Sequence, residues 1–148
     1  MATSAWNRFN DFTEQLVRGV HDWDAHTFKV ALTNTAPTAT QTTWNTTDHP
    51  APTSANGYTA GGATVSSITV SETSGTTTVA AAQVVFTATG ALGPFRYAVL
   101  YNDSATSPAD AAISWFDYGS AITLSSGETF TVKFNNANPG TLFTITPA

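Results

Sequence analysis

The sequence "TFKVALT" (27–33) carries large apolar residues at every second position. Phe28, Val30 and Leu32 share one face of an extended chain, and Lys29 lies on the opposite face. A period of two is that of a β-strand with one buried and one solvated face. This stretch therefore predicts a half-buried strand.

The same kind of pattern recurs along the rest of the chain. Seven further stretches follow: "ATVSSITVS" (63–71), "TTTVAAAQVVFTA" (76–88), "PFRYAVLY" (94–101), "AISWFDYG" (112–119), "AITLS" (121–125), "ETFTVKF" (128–134) and "TLFTIT" (141–146). Ser74-Gly75 and Ser126-Gly127 stand between successive stretches and suit hairpin turns. About eight short strands at this spacing predict a mainly β fold, an antiparallel β-sandwich or jelly-roll-like domain.

A different period precedes the strands, in the N-terminal segment. Its apolar residues are spaced by 3, 4 and 4: Phe9, Phe12, Leu16 and Val20. That spacing places them on one stripe of an amphipathic helix, and Gly19 weakens the end of that helix. We therefore predict an N-terminal helix within residues 1–22 and one β-sandwich domain over residues 23–148.

A long polar connection separates the first strand from the others, over residues 34–62. It holds three of the seven prolines and three of the ten glycines. A connection of this length in a compact domain is usually functional or loosely ordered. Trp44 lies within it, where an aromatic side chain would anchor the loop, dock on a neighbouring molecule or stack on a sugar.

Composition excludes several classes of partner. Only 10% of the 148 residues are charged, against about 25% in an average soluble domain. The net charge is −5 and the five basic residues are dispersed, so we expect neither nucleic acid nor an anionic membrane surface as a partner. There is no cysteine, and the N-terminus lacks the apolar core of a secretion signal, so we expect synthesis in a cytoplasm.

The densest group of reactive side chains is "HDWDAH" (21–26). Metal-binding histidines on a helix are normally four residues apart, whereas His21 and His26 are five apart. A structural role is the simpler interpretation, with His21 near the end of the helix and Trp23 fixing that end onto the sheet. We predict no metal site here.

Other candidates for catalysis are equally weak. His49 stands beside Asp48 in a loop, and no serine lies in a strained nucleophile motif, so an exposed loop histidine is expected. Most of the ten acids adjoin turn residues, which favours solvated turn carboxylates over a catalytic pair. No glycine-rich stretch has the form of a phosphate-binding loop. We therefore predict that the protein is not an enzyme and has no catalytic residue and no cofactor.

Arg96 is the most informative charge, because it lies inside the apolar stretch "PFRYAVLY". A guanidinium there needs a carboxylate or an aromatic partner. The partner lies either in the same chain, as an ion pair at a sheet edge, or in another subunit, since arginine is enriched at interfaces.

Several segments together resemble the small virion proteins of tailed bacteriophages. The segments are "WNRFNDF" (6–12), "FKVALTNTAP" (28–37), "NGYTAGG" (56–62), "GPFRYAVLYND" (93–103), "WFDYG" (115–119) and "SSGETFTVKF" (125–134). The resemblance spans nearly the whole chain. Within this group, the chain looks similar to capsid decoration, or cement, proteins. It implies a jelly-roll-like sandwich without a cofactor, present as a homotrimer on the virion capsid surface and bound to the major capsid protein.

On this hypothesis the N-terminal segment and the polar connection provide the contacts. The predicted assembly residues are Trp6, Phe9, Phe12, Leu16, Trp44 and Arg96. A component of the phage tail or baseplate is the first alternative. The second is a carbohydrate-binding module or adhesin that stacks sugars on Trp44, Trp115 or Tyr118.

Overall fold

A computed structural model of the chain describes residues 4–147. Strands make up 47% of it and helices 6%, and the sheets are antiparallel. The predicted mainly β fold is confirmed, and the arrangement is consistent with a β-sandwich.

Ten strands occur among the described residues, with long connections before and after the second strand. They are β1 (Asn7–Arg8), β2 (Phe28–Thr33), β3 (Ala63–Thr64), β4 (Thr69–Thr73), β5 (Thr76–Ala81), β6 (Val84–Thr87), β7 (Leu92–Thr106), β8 (Ala109–Leu124), β9 (Thr129–Val132) and β10 (Gly140–Ile145). One α-helix, α1 (Phe12–Val17), and a 3₁₀ turn over Phe134–Asn136 complete the secondary structure of the described residues.

The larger sheet has five strands in the order β1-β8-β7-β2-β3. Its centre is the long hairpin of β7 and β8, in which Ala98 lies opposite Phe116 and Val99 opposite Trp115. The two stretches expected as separate strands, residues 112–119 and 121–125, form the single strand β8. β7 pairs with both stretches, through Tyr97 opposite Asp117 and Phe95 opposite Ile122, and the register is irregular between these two pairs.

The opposite layer consists of β10-β5-β4 and of β6-β9. β9 pairs with β6, and β10 pairs with β5. The chain between Val132 and Gly140 belongs to neither pairing. Ser74-Gly75 forms the predicted hairpin turn, with φ values of 51° and 84°. The hairpin predicted at Ser126-Gly127 is wrong, since β9 pairs with β6 in the other layer and not with β8.

The main core lies between the two layers. Phe28, Val30 and Leu32 face it, as the alternating pattern predicted. The outer face of the larger sheet is buried as well, however, because Phe9 and Trp44 cover it. β2 is therefore not half-buried, and the polar connection that carries Trp44 packs against the sheet.

The N-terminal helix predicted within residues 1–22 is not confirmed over that range. Helical geometry is confined to α1, a segment of six residues. The chain before it is extended, because Asn7 and Arg8 pair with Trp115 and Ser114 of β8. Residues 1–3 of the predicted helix lie outside the described residues. No helix within residues 4–147 has the length and apolar character needed to cross a membrane.

Candidate functional site

A cleft of about 850 Å³ opens on one side of the sandwich. One wall consists of β7, β8 and the segment Ser4–Trp6, and the other consists of β9 and β10. The N-terminal segment is held along β8 by the amide of Asp117, which donates to Ser4 Oγ at 2.8 Å. The opposite wall is interrupted where residues 133–139 leave the sheet. We call this feature the side cleft.

Aromatic side chains form much of the side cleft, and they are Trp6, Phe116, Tyr118, Phe130 and Phe143. Trp6 meets Phe116 edge to face, with ring centres 6.1 Å apart and planes at 89°. Tyr118 meets Phe130 in the same way, at 5.6 Å and 70°. Tyr118 is 37% exposed, and the other four rings are half-buried. The cleft therefore offers accessible aromatic surface.

An ion pair stands at the same wall of the side cleft. Nε and Nη2 of Arg96 each donate to Asp117, both at 2.8 Å. The Gly119 amide donates to the same carboxylate, and the Arg96 guanidinium lies 5.1 Å from the ring centre of Tyr97. The hydrogen bond from Arg96 lowers the pKa of the Asp117 carboxyl group below its ordinary value. Both carboxylate oxygens are thus occupied, and the guanidinium is fixed in place.

The charge of the side cleft differs in sign from that of the whole chain. Its charged side chains are Arg96, Lys133 and Asp117, two cations and one anion. Lys133 is exposed and forms no ion pair within residues 4–147. Since the chain carries a net charge of −5, the cleft is a local positive region.

A second, smaller groove of about 410 Å³ lies beside α1. Trp6, Leu16 and Ile145 are among the residues that line it. Ile145 is 51% exposed, and Val17, the neighbour of Leu16 on α1, is 83% exposed. We call this surface the α1 groove; Val17 does not line it but follows Leu16 in the same helix.

The six predicted assembly residues separate into two groups. Trp6, Leu16 and Arg96 lie at the surface, in one or both of the grooves. Phe9, Phe12 and Trp44 are 0%, 4% and 8% exposed and belong to the core. Because the residues of the second group are buried, a substitution there would affect assembly only by changing the fold.

Trp44 is covered by its own chain. Its ring stacks on Tyr101, with ring centres 4.6 Å apart and planes at 14°. Of its three expected roles, anchoring the connection is the one that the structure bears out, and Trp44 offers no free face for a sugar. Trp115 is half-buried against Phe9, at 4.7 Å, whereas Tyr118 opens into the side cleft.

The histidines of "HDWDAH" lie in a hydrogen-bonded cluster. Nδ2 of Asn102 lies 3.2 Å from Nδ1 of His21 and 3.0 Å from Nδ1 of His26. Trp23 stacks on Phe28 of β2 at 4.2 Å and so fixes this segment to the sheet. The segment is not the predicted end of the helix, however, because α1 ends at Val17. Among the described residues no group of three or more metal-binding side chains occurs.

His49 is not the exposed loop histidine that the sequence suggested. It is 0% exposed, its Nε2 lies 3.1 Å from Oε1 of Gln41, and its ring meets Phe9 edge-on. Burial lowers the pKa of its imidazole. The prediction failed because the connection that carries His49 folds onto the sheet.

Sequence reasoning missed most of the side cleft. It named Trp6, Arg96 and Tyr118 but not Phe130 or Phe143, which lie in stretches predicted only as strands. The available signal for the cleft was Lys133, which directly follows β9. A lysine at this position indicates that the strand ends near the surface.

Comparison with known proteins gives no further information. The chain matches no protein-family model, and no curated protein or solved structure is significantly similar to it.

Proposed function

We propose that this chain is a structural virion protein of a tailed bacteriophage, a capsid decoration protein that binds the shell of the major capsid protein. In this role it is a non-catalytic homotrimer with a jelly-roll-like sandwich, synthesised in the host cytoplasm and located on the capsid surface. The resemblance to virion proteins supports the proposal. Three of the segments that carry it, 28–37, 93–103 and 115–119, supply residues of the three central strands of the larger sheet.

The observation that carries the proposal is the exposed apolar surface of the α1 groove. Ile145 is 51% exposed and lines this groove with the half-buried Trp6 and Leu16. Val17, which follows Leu16 on α1, is 83% exposed. Extended apolar patches on soluble proteins commonly mark interaction sites. A neighbouring subunit that covered this surface would gain about 25 cal/mol for each Å² of apolar area removed from water.

Paired substitutions test this surface. The double variant Val17→Asp/Ile145→Asp should lose the trimeric mass in light scattering and should no longer sediment with heads purified from phage that lack the protein. Val85→Asp, at a side chain that is 45% exposed on β6, is the matched control and should behave as wild type. A wild-type monomer that does not bind heads would contradict the proposal.

Electron microscopy of phage particles labelled on this protein distinguishes a location on the capsid from a location on the tail. Label density at capsid three-fold positions would support a decoration protein. Density on the tail or baseplate would overturn that assignment in favour of the tail alternative.

A further inference from the structure

We propose that the side cleft binds an anionic oligosaccharide, a short chain of sugar rings that carry carboxylate groups. This site adjoins the α1 groove, with which it shares Trp6, Phe143 and Thr144, and the proposal does not depend on a role in the virion. The side cleft has a volume of about 850 Å³, within the range of roughly 300–1,000 Å³ that is typical of ligand sites.

The aromatic residues suit sugar rings. A pyranose ring presents a flat face of C–H groups and an edge of hydroxyl groups, so it packs on an aromatic ring and forms hydrogen bonds around it. Tyr118 and Trp6 offer accessible ring surface beside the polar side chains of Asn135 and Asn136. Pockets with apolar walls and a few placed polar groups bind small ligands in this manner.

The cations suit a carboxylate. The Arg96 guanidinium has five N–H groups, of which two are used by Asp117. The other three can donate to a ligand, and the guanidinium is already ordered by its ion pair. Lys133 stands in the same cleft. Charge-assisted hydrogen bonds of this kind are stronger than neutral ones.

The distribution of charge favours an anionic ligand over a neutral one. Two of the five basic residues of the chain line the side cleft, although the net charge of the chain is −5. With Asp117 as its one anion, the cleft carries one net positive charge, and a positive site on a negative protein attracts anions.

The edge of the sheet favours a saccharide over a peptide strand. Strand addition needs a continuous, flat edge. β9 and β10 are separated by residues 133–139, and β10 has a register irregularity between Thr141 and Phe143. Lys133 stands at the break. Interruptions, bulges and lysines are the features that protect an edge from strand addition.

Calorimetric titration with tetragalacturonate tests the proposal, with its fully methyl-esterified form as the neutral probe. We expect binding of the acidic form that weakens as salt is raised and at least tenfold weaker binding of the ester. Lys133→Met and Tyr118→Ala should each weaken binding by roughly tenfold. Arg18→Met removes the same charge just after α1, outside the side cleft, and should leave binding unchanged.

Each other outcome overturns the proposal. Equal binding of acid and ester would remove the anionic requirement. Binding of a tetraglutamate peptide in preference to tetragalacturonate would assign the cleft to peptides. The folding of the wild-type protein is verified by circular dichroism. If this folded protein binds neither probe, the cleft does not bind this class of ligand.

Discussion

Nδ2 of Asn102 lies 3.2 Å from Nδ1 of His21, although 81 residues separate the two. The amide is oriented by its backbone partners, since Oδ1 accepts from the Ser104 amide and Nδ2 lies 3.1 Å from the Val20 carbonyl oxygen. Nδ2 of Asn102 has two hydrogens and three neighbouring acceptors, which are the Val20 carbonyl oxygen and Nδ1 of His21 and of His26. Nε2 of His21 is buried without a hydrogen-bond partner. Protonation at Nδ1 would place two donors face to face.

This arrangement predicts that stability falls in mild acid. Burial, followed by the charge of His26, lowers the pKa of His21 to about 4, and Asp11 opposes the shift. The unfolded chain binds this proton near pH 6.5, so stability is complete above that pH and is lost as the pH falls toward 4. The loss should reach about 2–3 kcal/mol. Urea unfolding between pH 7.5 and 4 measures it, and His21→Gln should flatten the profile.

Replacement of Trp44 should destabilise the fold. The ring is buried on Tyr101, so Trp44→Ala should lower the free energy of unfolding by about 3–5 kcal/mol. Tyr118→Ala, at a partly exposed ring, should cost below about 1.5 kcal/mol. Denaturant titration compares the two variants. A loss below 1 kcal/mol for Trp44→Ala would show that the connection is not held by this side chain.

Two glycines with positive φ should respond differently to the same substitution. Gly62 has φ +83° and Gly119 has φ +99°, so alanine is strained at both positions by roughly 1–2 kcal/mol. At Gly62 the new Cβ would also overlap the carbonyl oxygen of Val30, whereas at Gly119 nothing lies within 4 Å. Gly62→Ala should therefore cost about 1–3 kcal/mol more than Gly119→Ala. Equal melting temperatures would contradict this close approach.

The ion pair of Arg96 and Asp117 should contribute little to stability. Its side chains are 37% and 34% exposed, and ion pairs in such positions are screened by water and salt. A double-mutant cycle with Arg96→Met and Asp117→Asn should give a small coupling energy, which decreases in 0.5 M salt. A large coupling energy that persists in 0.5 M salt would mean that the pair holds the two strands together.

The alternating pattern located most of the strands, because the buried face of a strand repeats locally in the sequence. The stretches 63–71 and 76–88 each contain two strands that belong to different sheets, and β1 was not predicted. Phe28, Val30 and Leu32 were assigned to the core on this basis and lie there. The burial of Trp44 and His49 was not predictable in the same way. Both depend on a connection of polar composition that covers the second face of the sheet, and that packing is non-local.

The side cleft was predictable only in part. Arg96 required a partner by its apolar surroundings alone, and the partner is intrachain. The cleft itself arises because the chain leaves the sheet after Val132 and returns at Gly140, while Trp6 is brought to β8 from the opposite end of the sequence. A cleft between segments that are far apart in the sequence produces no recognisable pattern within either segment.

The pairing of β1 with β8 has a consequence for biosynthesis. The backbone of Asn7 meets Trp115, 108 residues later in the chain. On the ribosome, where polymerisation proceeds at roughly 5–20 residues per second, the first strand must wait several seconds for its partner to emerge. Completion of the larger sheet is therefore a late event, and nascent chains would depend on fast release or on chaperones to shield Phe9 and Phe12 until then.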